Sequence, residues 1–228
     1  MRIAGDFRIG ETPIFSGLDL ALEPGEWTCL LGPSGVGKST ILRLLAGLET
    51  GGRFSGTLSA PDRPAYMAQS DLLAPWLDVT GNVTLGARLR GERPDLDRAR
   101  ALIAEVGLAG HEAKRPAELS GGMRQRAALA RTLMEDRPVV LLDEPFSALD
   151  AATRAACQEL AFRLLEGRTV LLVTHDPAEA ARLGHRVHLL ARQGIAETLI
   201  PEGPPIRPAM APATLAAQAT LFEQVRAA

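Results

Sequence analysis

The run Gly32-Pro33-Ser34-Gly35-Val36-Gly37-Lys38-Ser39-Thr40 restricts what this chain can fold into more than any other stretch. It fits the pattern G-x-x-x-x-G-K-[ST]. Thr28–Leu31 before it is a short apolar run with the length and bounds of a buried strand, and Ile41–Ala46 after it reads as a helix. Strand, glycine-rich loop and helix in that order make a phosphate cradle. The glycines let backbone N–H groups curl around the anion, and the helix adds unpaired N–H groups and the positive end of its dipole. In this pattern Lys38 reaches the β- and γ-phosphates and the Ser39 hydroxyl ligates Mg²⁺.

A chain of 228 residues can bury a substantial core as one large domain or two small ones. With 46% hydrophobic and 23% charged residues and a net charge of −2, it has a globular composition and no basic face for nucleic acid. Cys29 and Cys157 fit neither a metal spacing nor a disulfide framework, and Cys29, inside the apolar run, reads as a buried inert thiol. No signal-peptide pattern opens the chain, and no apolar run reaches the length of a membrane span. The expectation is a cytosolic protein that meets a membrane only through a partner.

In chain order, Asp6–Ile9 and Ile14–Leu22 alternate and are separated by turn residues, which predicts antiparallel strands. A weak strand is expected at Thr57–Leu58 and a firmer one at Ala65–Ala68, which delivers Gln69. From Asp71 to about Arg137 the texture is helical: Leu77–Arg90, interrupted by Gly81 and Gly86; Asp97–Val106, with Asp97 as N-cap and Gly107 as stop; and a helix entered through Leu119–Arg126. Val139–Leu142 and Thr169–Thr174 are continuous apolar runs, the mark of parallel strands covered on both faces, with a helix at Ala151–Leu165 between them. Val187–Leu190 is one more strand. From Pro201 the proline-rich sequence predicts an extended tail with a short helix at Ala213–Arg226.

Polar residues fall at the ends of these apolar strands. Gln69, Asp143-Glu144 and His175-Asp176 each follow one, as the glycine loop does. Ligands of an open parallel sheet bind at the carboxyl ends of its strands, so all four segments address one rim. Asp143 stands where a carboxylate holds Mg²⁺. If the extended backbone continues, Glu144 points to the opposite side and addresses the γ-phosphate and attacking water. Gln69 can offer its amide to Mg²⁺ or water, and His175 can hydrogen-bond the γ-phosphate. His111, His185 and His188 lie among arginines and loop residues and take no role. Ser120-Gly121-Gly122 is a second helix start suited to an anion. It either caps a helix on its own core or faces the phosphate loop of a second copy across a two-fold dimer.

Taken together, these segments resemble the ATP-binding cassette subunit of an ABC transporter. The matching motifs are Gly32–Thr40 (Walker A), Gln69 (Q-loop), Leu119–Gln125 (signature), Val139–Pro145 (Walker B), Ser147–Asp150 (D-loop) and His175 (H-loop), in the family's order. The resemblance implies one α/β domain over 1–228: a P-loop NTPase core of about 1–70 and 136–200 with a parallel sheet and an N-terminal antiparallel β subdomain, an inserted helical subdomain of about 71–135, and a tail, 201–228. It implies a head-to-tail homodimer around two ATP and Mg²⁺. Glu144 would be the general base, His175 and Lys38 γ-phosphate contacts, Ser39, Gln69 and Asp143 the metal ligands, and Ser120, Gly121 and Gly122 the trans contacts. Asp150 would couple the two sites. Such cassettes place an aromatic against the adenine near the position of Ile9; Phe7, two residues earlier on the same face of a strand, is the expected substitute.

Met67–Leu77 is similar to the Q-loop of the nitrate/sulfonate/taurine importer branch, and within it to cassettes for thiamine-precursor pyrimidines (hydroxymethylpyrimidine). That implies a bacterial importer subunit at the cytoplasmic face of the inner membrane, docked on transmembrane permease subunits and served by a periplasmic solute-binding protein. Trp76 either meets the permease or anchors the helical subdomain. A P-loop small-molecule kinase explains the phosphate loop but gives Ser120–Gly122, Glu144 and His175 no task. A non-transport ABC ATPase of repair or translation would carry coiled coils or two fused cassettes. A cassette that binds ATP without turnover would not need Glu144 and His175.

Overall fold

The computed structural model describes residues 1–61, 63–191, 194–198 and 202–228. The backbone divides into two compact units, residues 1–64, 138–143 and 167–228 in the first and 65–137 and 144–166 in the second. The first unit begins with β1 (Arg2–Ile9), β2 (Thr12–Ala21), β3 (Trp27–Leu31), α1 (Lys38–Leu45) and β4 (Arg53–Ser59). The second holds β5 (Ala65–Met67), α2 (Val79–Val83), α3 (Leu85–Leu89), α4 (Leu96–Glu105) and α5 (Gly121–Met134). The chain returns to the first unit for β6 (Val139–Asp143), crosses to the second for α6 (Ala151–Leu164), and ends in the first with β7 (Thr169–Thr174), α7 (Pro177–Leu183), β8 (Arg186–Ala191), β9 (Gly194–Thr198) and α8 (Pro212–Ala227).

Two sheets build the first unit. One is antiparallel, in the order β2-β1-β4. In the other β6, β7, β3 and β8 run parallel side by side, and β9 closes the β8 edge antiparallel. Every residue of β3, β6 and β7 is buried, which is why their sequences are continuous apolar runs instead of alternating ones. In the second unit α5 is the central helix; its Ala127–Ala130 stretch is fully covered, and α2, α4 and α6 pack on it. The first unit thus joins a mostly parallel sheet to an antiparallel N-terminal sheet, and the second is mainly helical, as the resemblance implies.

Several boundaries differ from expectation for local reasons. Asp95, not Asp97, caps α4, accepting from Arg98 N at 3.0 Å. The stretch Leu77–Arg90 splits into α2 and α3 at Thr84, whose Oγ1 turns back to donate to Thr80 O at 2.8 Å. A Cβ at Gly86, in the first turn of α3, would meet the Glu135 carboxylate, a flexible end that can swing away. The weak strand expected at Thr57–Leu58 is part of the seven-residue β4, held by pairing to β1. The edge strand β9 carried no clear alternation and was not foreseen. Pro201, where the tail was expected to begin, lies outside the described residues. Its helix runs a little longer than foreseen, as α8, and packs on α7 with Leu221 fully buried.

Phe7 decides a functional question through packing. It is fully buried, its ring stacked on Phe15 with centroids 5.8 Å apart. A side chain held in a core cannot also cover a ligand, so Phe7 is not the substitute aromatic. Ile9, two positions along the same face, lies past the core and is 46% exposed. Phe7→Ala should therefore cost about 3–5 kcal/mol of stability, whereas Ile9→Ala should stay within about 0.5 kcal/mol. Urea unfolding of the two variants measures the difference.

Candidate functional site

In the first unit the glycine loop leaves β3 and enters α1, whose N-cap is Gly37 at φ 105°. Gly35 is also left-handed, at φ 80°, a region costly for residues with a Cβ. At Gly37 the demand is double, because a Cβ would come within 2.9 Å of Ile14 Cγ2. Lys38 is only 5% exposed, and a charge that deep must be paired. Its Nζ donates to the loop's own carbonyls, Gly32 O at 2.7 Å and Pro33 O at 2.8 Å. The ammonium thus stands under the loop, at the centre of its curve.

The parallel strands bring two further polar groups to the same rim. Asp143 ends β6 and is buried, and it accepts from Ser39 Oγ at 3.0 Å. Register sets Leu31 beside Thr174 and Asp143 beside Val173, so the glycine loop, Asp143 and His175 leave adjacent strand ends. His175 is exposed. Its neighbours are fixed: Thr174 Oγ1 donates to Glu179 Oε2 at 2.7 Å, and Asp176 caps α7, accepting from Ala178 N at 2.8 Å. Ser39 and Asp143 are hard oxygen donors carrying a single charge. Among the described residues no group of three or more His, Cys, Asp or Glu gathers to cage a metal. Such a set fits Mg²⁺ completed by phosphate oxygens and water, and does not fit a metal held by protein alone.

The second unit carries the other sequence-marked residues. Gln69, just beyond β5, is exposed, and its Nε2 donates to Glu144 Oε2 at 3.2 Å. Glu144 does not continue the extended backbone that was expected. The strand stops at Asp143, and Glu144 adopts φ 47°, so strand alternation no longer sets its direction. Its carbonyl is turned out of the sheet ladder and accepts from Gln125 Nε2 and Ser147 Oγ, each at 3.0 Å. Ser120 is the N-cap of α5, accepting from Met123 N at 3.3 Å, with Gly121 and Gly122 in the first turn behind it. Asp150 caps α6; the Thr153 hydrogen bonds hold its carboxyl below the usual range.

Several contacts of this unit were not foreseen. Arg131 donates to Leu72 O at 2.8 Å and Asp71 O at 2.7 Å, gripping a turn in which Leu72 has φ 46°. Burial lowers the Arg131 pKa, and Asp71 opposes the shift. Arg124 Nε reaches Asp71 Oδ2 at 3.0 Å. Gln125 links Glu144 to Ala148, and Asn82 accepts from Ala74 N at 2.7 Å. Only a count of polar positions on otherwise buried helix faces would have marked Asn82, whereas Gln125 stood in the signature run Leu119–Gln125 without its partners being foreseen. The turn held by Arg131 leads to Trp76, which is 73% exposed, so the Trp76 ring does not anchor the helical core.

Comparison with known proteins bears on the family and the fold. The ABC transporter family model matches residues 15–147. The aliphatic sulfonates import ATP-binding protein SsuB 1 of Rhodococcus jostii (strain RHA1) is 51% identical over 210 residues, 87% of this chain and 82% of that protein. An SsuB 1 of Pseudomonas fluorescens (strain ATCC BAA-477) is 46% identical over 218 residues, 95% of this chain and 82% of its own. An uncharacterized ABC transporter ATP-binding protein of Haemophilus influenzae is 48% identical over 203 residues, 85% of this chain and 84% of that protein. Among solved structures, a dimeric ATP-binding cassette in a post-hydrolysis state with ADP and Pi superposes with TM-score 0.74 at 29% identity, covering 90% of this chain and 97% of that one.

The glycine loop offers a direct test. Gly37→Ala adds about 1–3 kcal/mol of backbone strain and a contact with Ile14, which the loop can relieve only by shifting. Affinity for Mg²⁺-ATP should fall about tenfold or more, since each tenfold corresponds to about 1.4 kcal/mol. Gly10→Ala, left-handed at φ 56° with nothing within 4 Å of its Cβ, should lose stability but keep affinity. Calorimetric titration of both variants separates the two effects.

Proposed function

The chain belongs to the ABC transporter family, and from that premise we propose that it is the ATP-hydrolysing subunit of a bacterial importer, a single ATPase domain over residues 1–228 that drives uptake through a separate permease. The observation that carries this reading is the Ser39–Asp143 pair at 3.0 Å beside the buried Lys38, a phosphate and metal seat built into one rim. Residues 32–40 bind the phosphates through backbone N–H groups, and Lys38 exchanges its loop carbonyls for phosphate oxygens. Ser39, Asp143 and the Gln69 amide oxygen would hold Mg²⁺, which when bound would supply positive charge against the phosphates. Glu144 takes the proton of the attacking water, and His175 contacts the γ-phosphate. The products are ADP and phosphate.

Ser120, Gly121 and Gly122 serve a second copy. The Ser120 side chain already caps α5, so its free hydroxyl hydrogen and the first-turn N–H groups remain to meet the partner's γ-phosphate. Binding drives dimer closure only if the closed state binds ATP more tightly, and these trans contacts supply that difference. The turn Asp71–Trp76, pinned by Arg131 and presenting an exposed Trp76, passes the movement to the permease. No helix among the described residues is long and apolar enough to cross a membrane, so the seat at the cytoplasmic face of the inner membrane comes through that partner. A periplasmic binding protein delivers the solute. With the adenine end offering exposed Ile9 in place of an aromatic, affinity rests on the phosphates.

Glu144→Gln should retain ATP binding, lose turnover by roughly a hundredfold or more, and trap a dimer on gel filtration. Undiminished turnover would remove Glu144 as the base. The solute class we propose is an aliphatic sulfonate, following the names of the relatives, in preference to a hydroxymethylpyrimidine. Uptake by the reconstituted importer should depend on sulfonate; ATP-driven pyrimidine uptake without sulfonate uptake would reverse that assignment.

A further inference from the structure

Glu144 is a left-handed residue with a side chain, and something must hold it there. Its φ of 47° lies where a Cβ is disfavoured by about 1–3 kcal/mol. Its carbonyl has left the strand ladder at the last residue of β6 and needs other donors. Ser147, an exposed residue three positions on, donates both its N–H at 3.3 Å and its Oγ at 3.0 Å, and Gln125 Nε2 donates at 3.0 Å. They are not equivalent. Ser147 belongs to the same turn and moves with it. Gln125 is 5% exposed and stands on the 14-residue helix α5, whose neighbouring residues Ala127 to Ala130 are buried.

The Gln125 amide is fixed in orientation by its two partners. Nε2 gives its proton to a carbonyl, and Oε1 accepts from Ala148 N at 3.2 Å. Rotating the amide by half a turn would set oxygen against oxygen and nitrogen against N–H. The side chain therefore locks both ends of the turn 144–148 to α5 with one polarity. From the geometry we infer that Gln125 is the positioning residue for Glu144: it fixes the left-handed backbone from which the carboxylate reaches the attacking water. Gln69 steadies the carboxylate itself, at Oε2, whereas Gln125 acts through the main chain. This inference rests on Glu144 being the general base, and it deepens that reading.

Without the Gln125 donor, the Glu144 carbonyl loses its tie to α5 while the Ser147 bonds move with the turn itself, and the backbone can relax toward negative φ. A displacement of about 1 Å at a reacting group costs about a hundredfold in rate. Gln125→Met preserves length and removes both hydrogen bonds. Gln125→Glu keeps an acceptor for Ala148 N but places an oxygen against the Glu144 carbonyl. In steady-state ATPase assays of the full chain, both variants should lower kcat by about 10- to 100-fold with KM for ATP unchanged. In a Glu144→Gln background, Gln125→Met should still give the ATP-dependent dimer, because the Ser120 turn is untouched.

Wild-type kcat in either Gln125 variant, with Glu144→Gln inactive, overturns the inference and leaves the base in place. A wild-type rate in Glu144→Gln removes the base instead. A raised KM, or loss of the ATP-dependent dimer, assigns Gln125 to the anion-facing end of α5. Loss of the folded circular-dichroism signal in both variants assigns it to packing alone. Each of these last two results overturns the positioning role.

Discussion

A lysine ammonium held almost out of water is the constraint from which the first unit follows. Burying Lys38 is tolerable because carbonyls of its own loop accept hydrogen bonds from its ammonium. Those carbonyls face inward only if the loop curls tightly, and the curl needs left-handed backbone at Gly35 and Gly37. The curl in turn needs a rigid strand to leave and a helix to enter. β3 is buried along its whole length between β7 and β8, and α1 starts at Lys38 itself. A sheet that completely covered is written in continuous apolar residues, so the composition of β3, β6 and β7 is a consequence of the loop they support.

The second unit is organised by polar side chains reaching out from one helix. Arg124 and Arg131 grip the turn Asp71–Leu72, Gln125 grips the turn 144–148, and Ser120 caps the helix start. α5 therefore fixes the turn Asp71–Leu72, the turn 144–148 and its own capped start on a single helix. Helices move as bodies on the timescale of domain motion, whereas isolated loops fluctuate much faster. Tying three loops to one helix makes them change together, which is what a subunit that converts nucleotide occupancy into movement requires.

Sequence reading reached the strand ends because the parallel sheet converts one-dimensional order into a shared rim. An apolar run followed by a polar residue is a local pattern, and the register of β3, β6 and β7 follows from burial on both faces. What it did not reach depends on contacts between distant segments. Phe7 and Ile9 have the same strand parity, and only the Phe15 ring across the sheet tells the buried one from the exposed one. The split between α2 and α3 depends on a Thr84 hydroxyl that chooses Thr80 O over solvent. Gln125 was legible as a letter of a motif, but its partners lie some twenty residues away, at Glu144 and Ala148.

The step from Asp143 to Glu144 places two successive acids in different environments, which suits the different tasks proposed for them. Asp143 is the last residue of β6, buried and bound to Ser39, so its position is set by the sheet. Glu144 follows by one peptide bond yet takes its position from a left-handed turn and from donors on α5 and Ser147. A metal ligand gains from a fixed, buried carboxylate. A proton acceptor gains from a carboxylate that water can reach and whose placement is adjustable through its supports. Ending the strand between the two residues gives each its own environment. The strain at Glu144 is the cost of that separation, and it is stable only while the helix that clamps it stays in register with the turn.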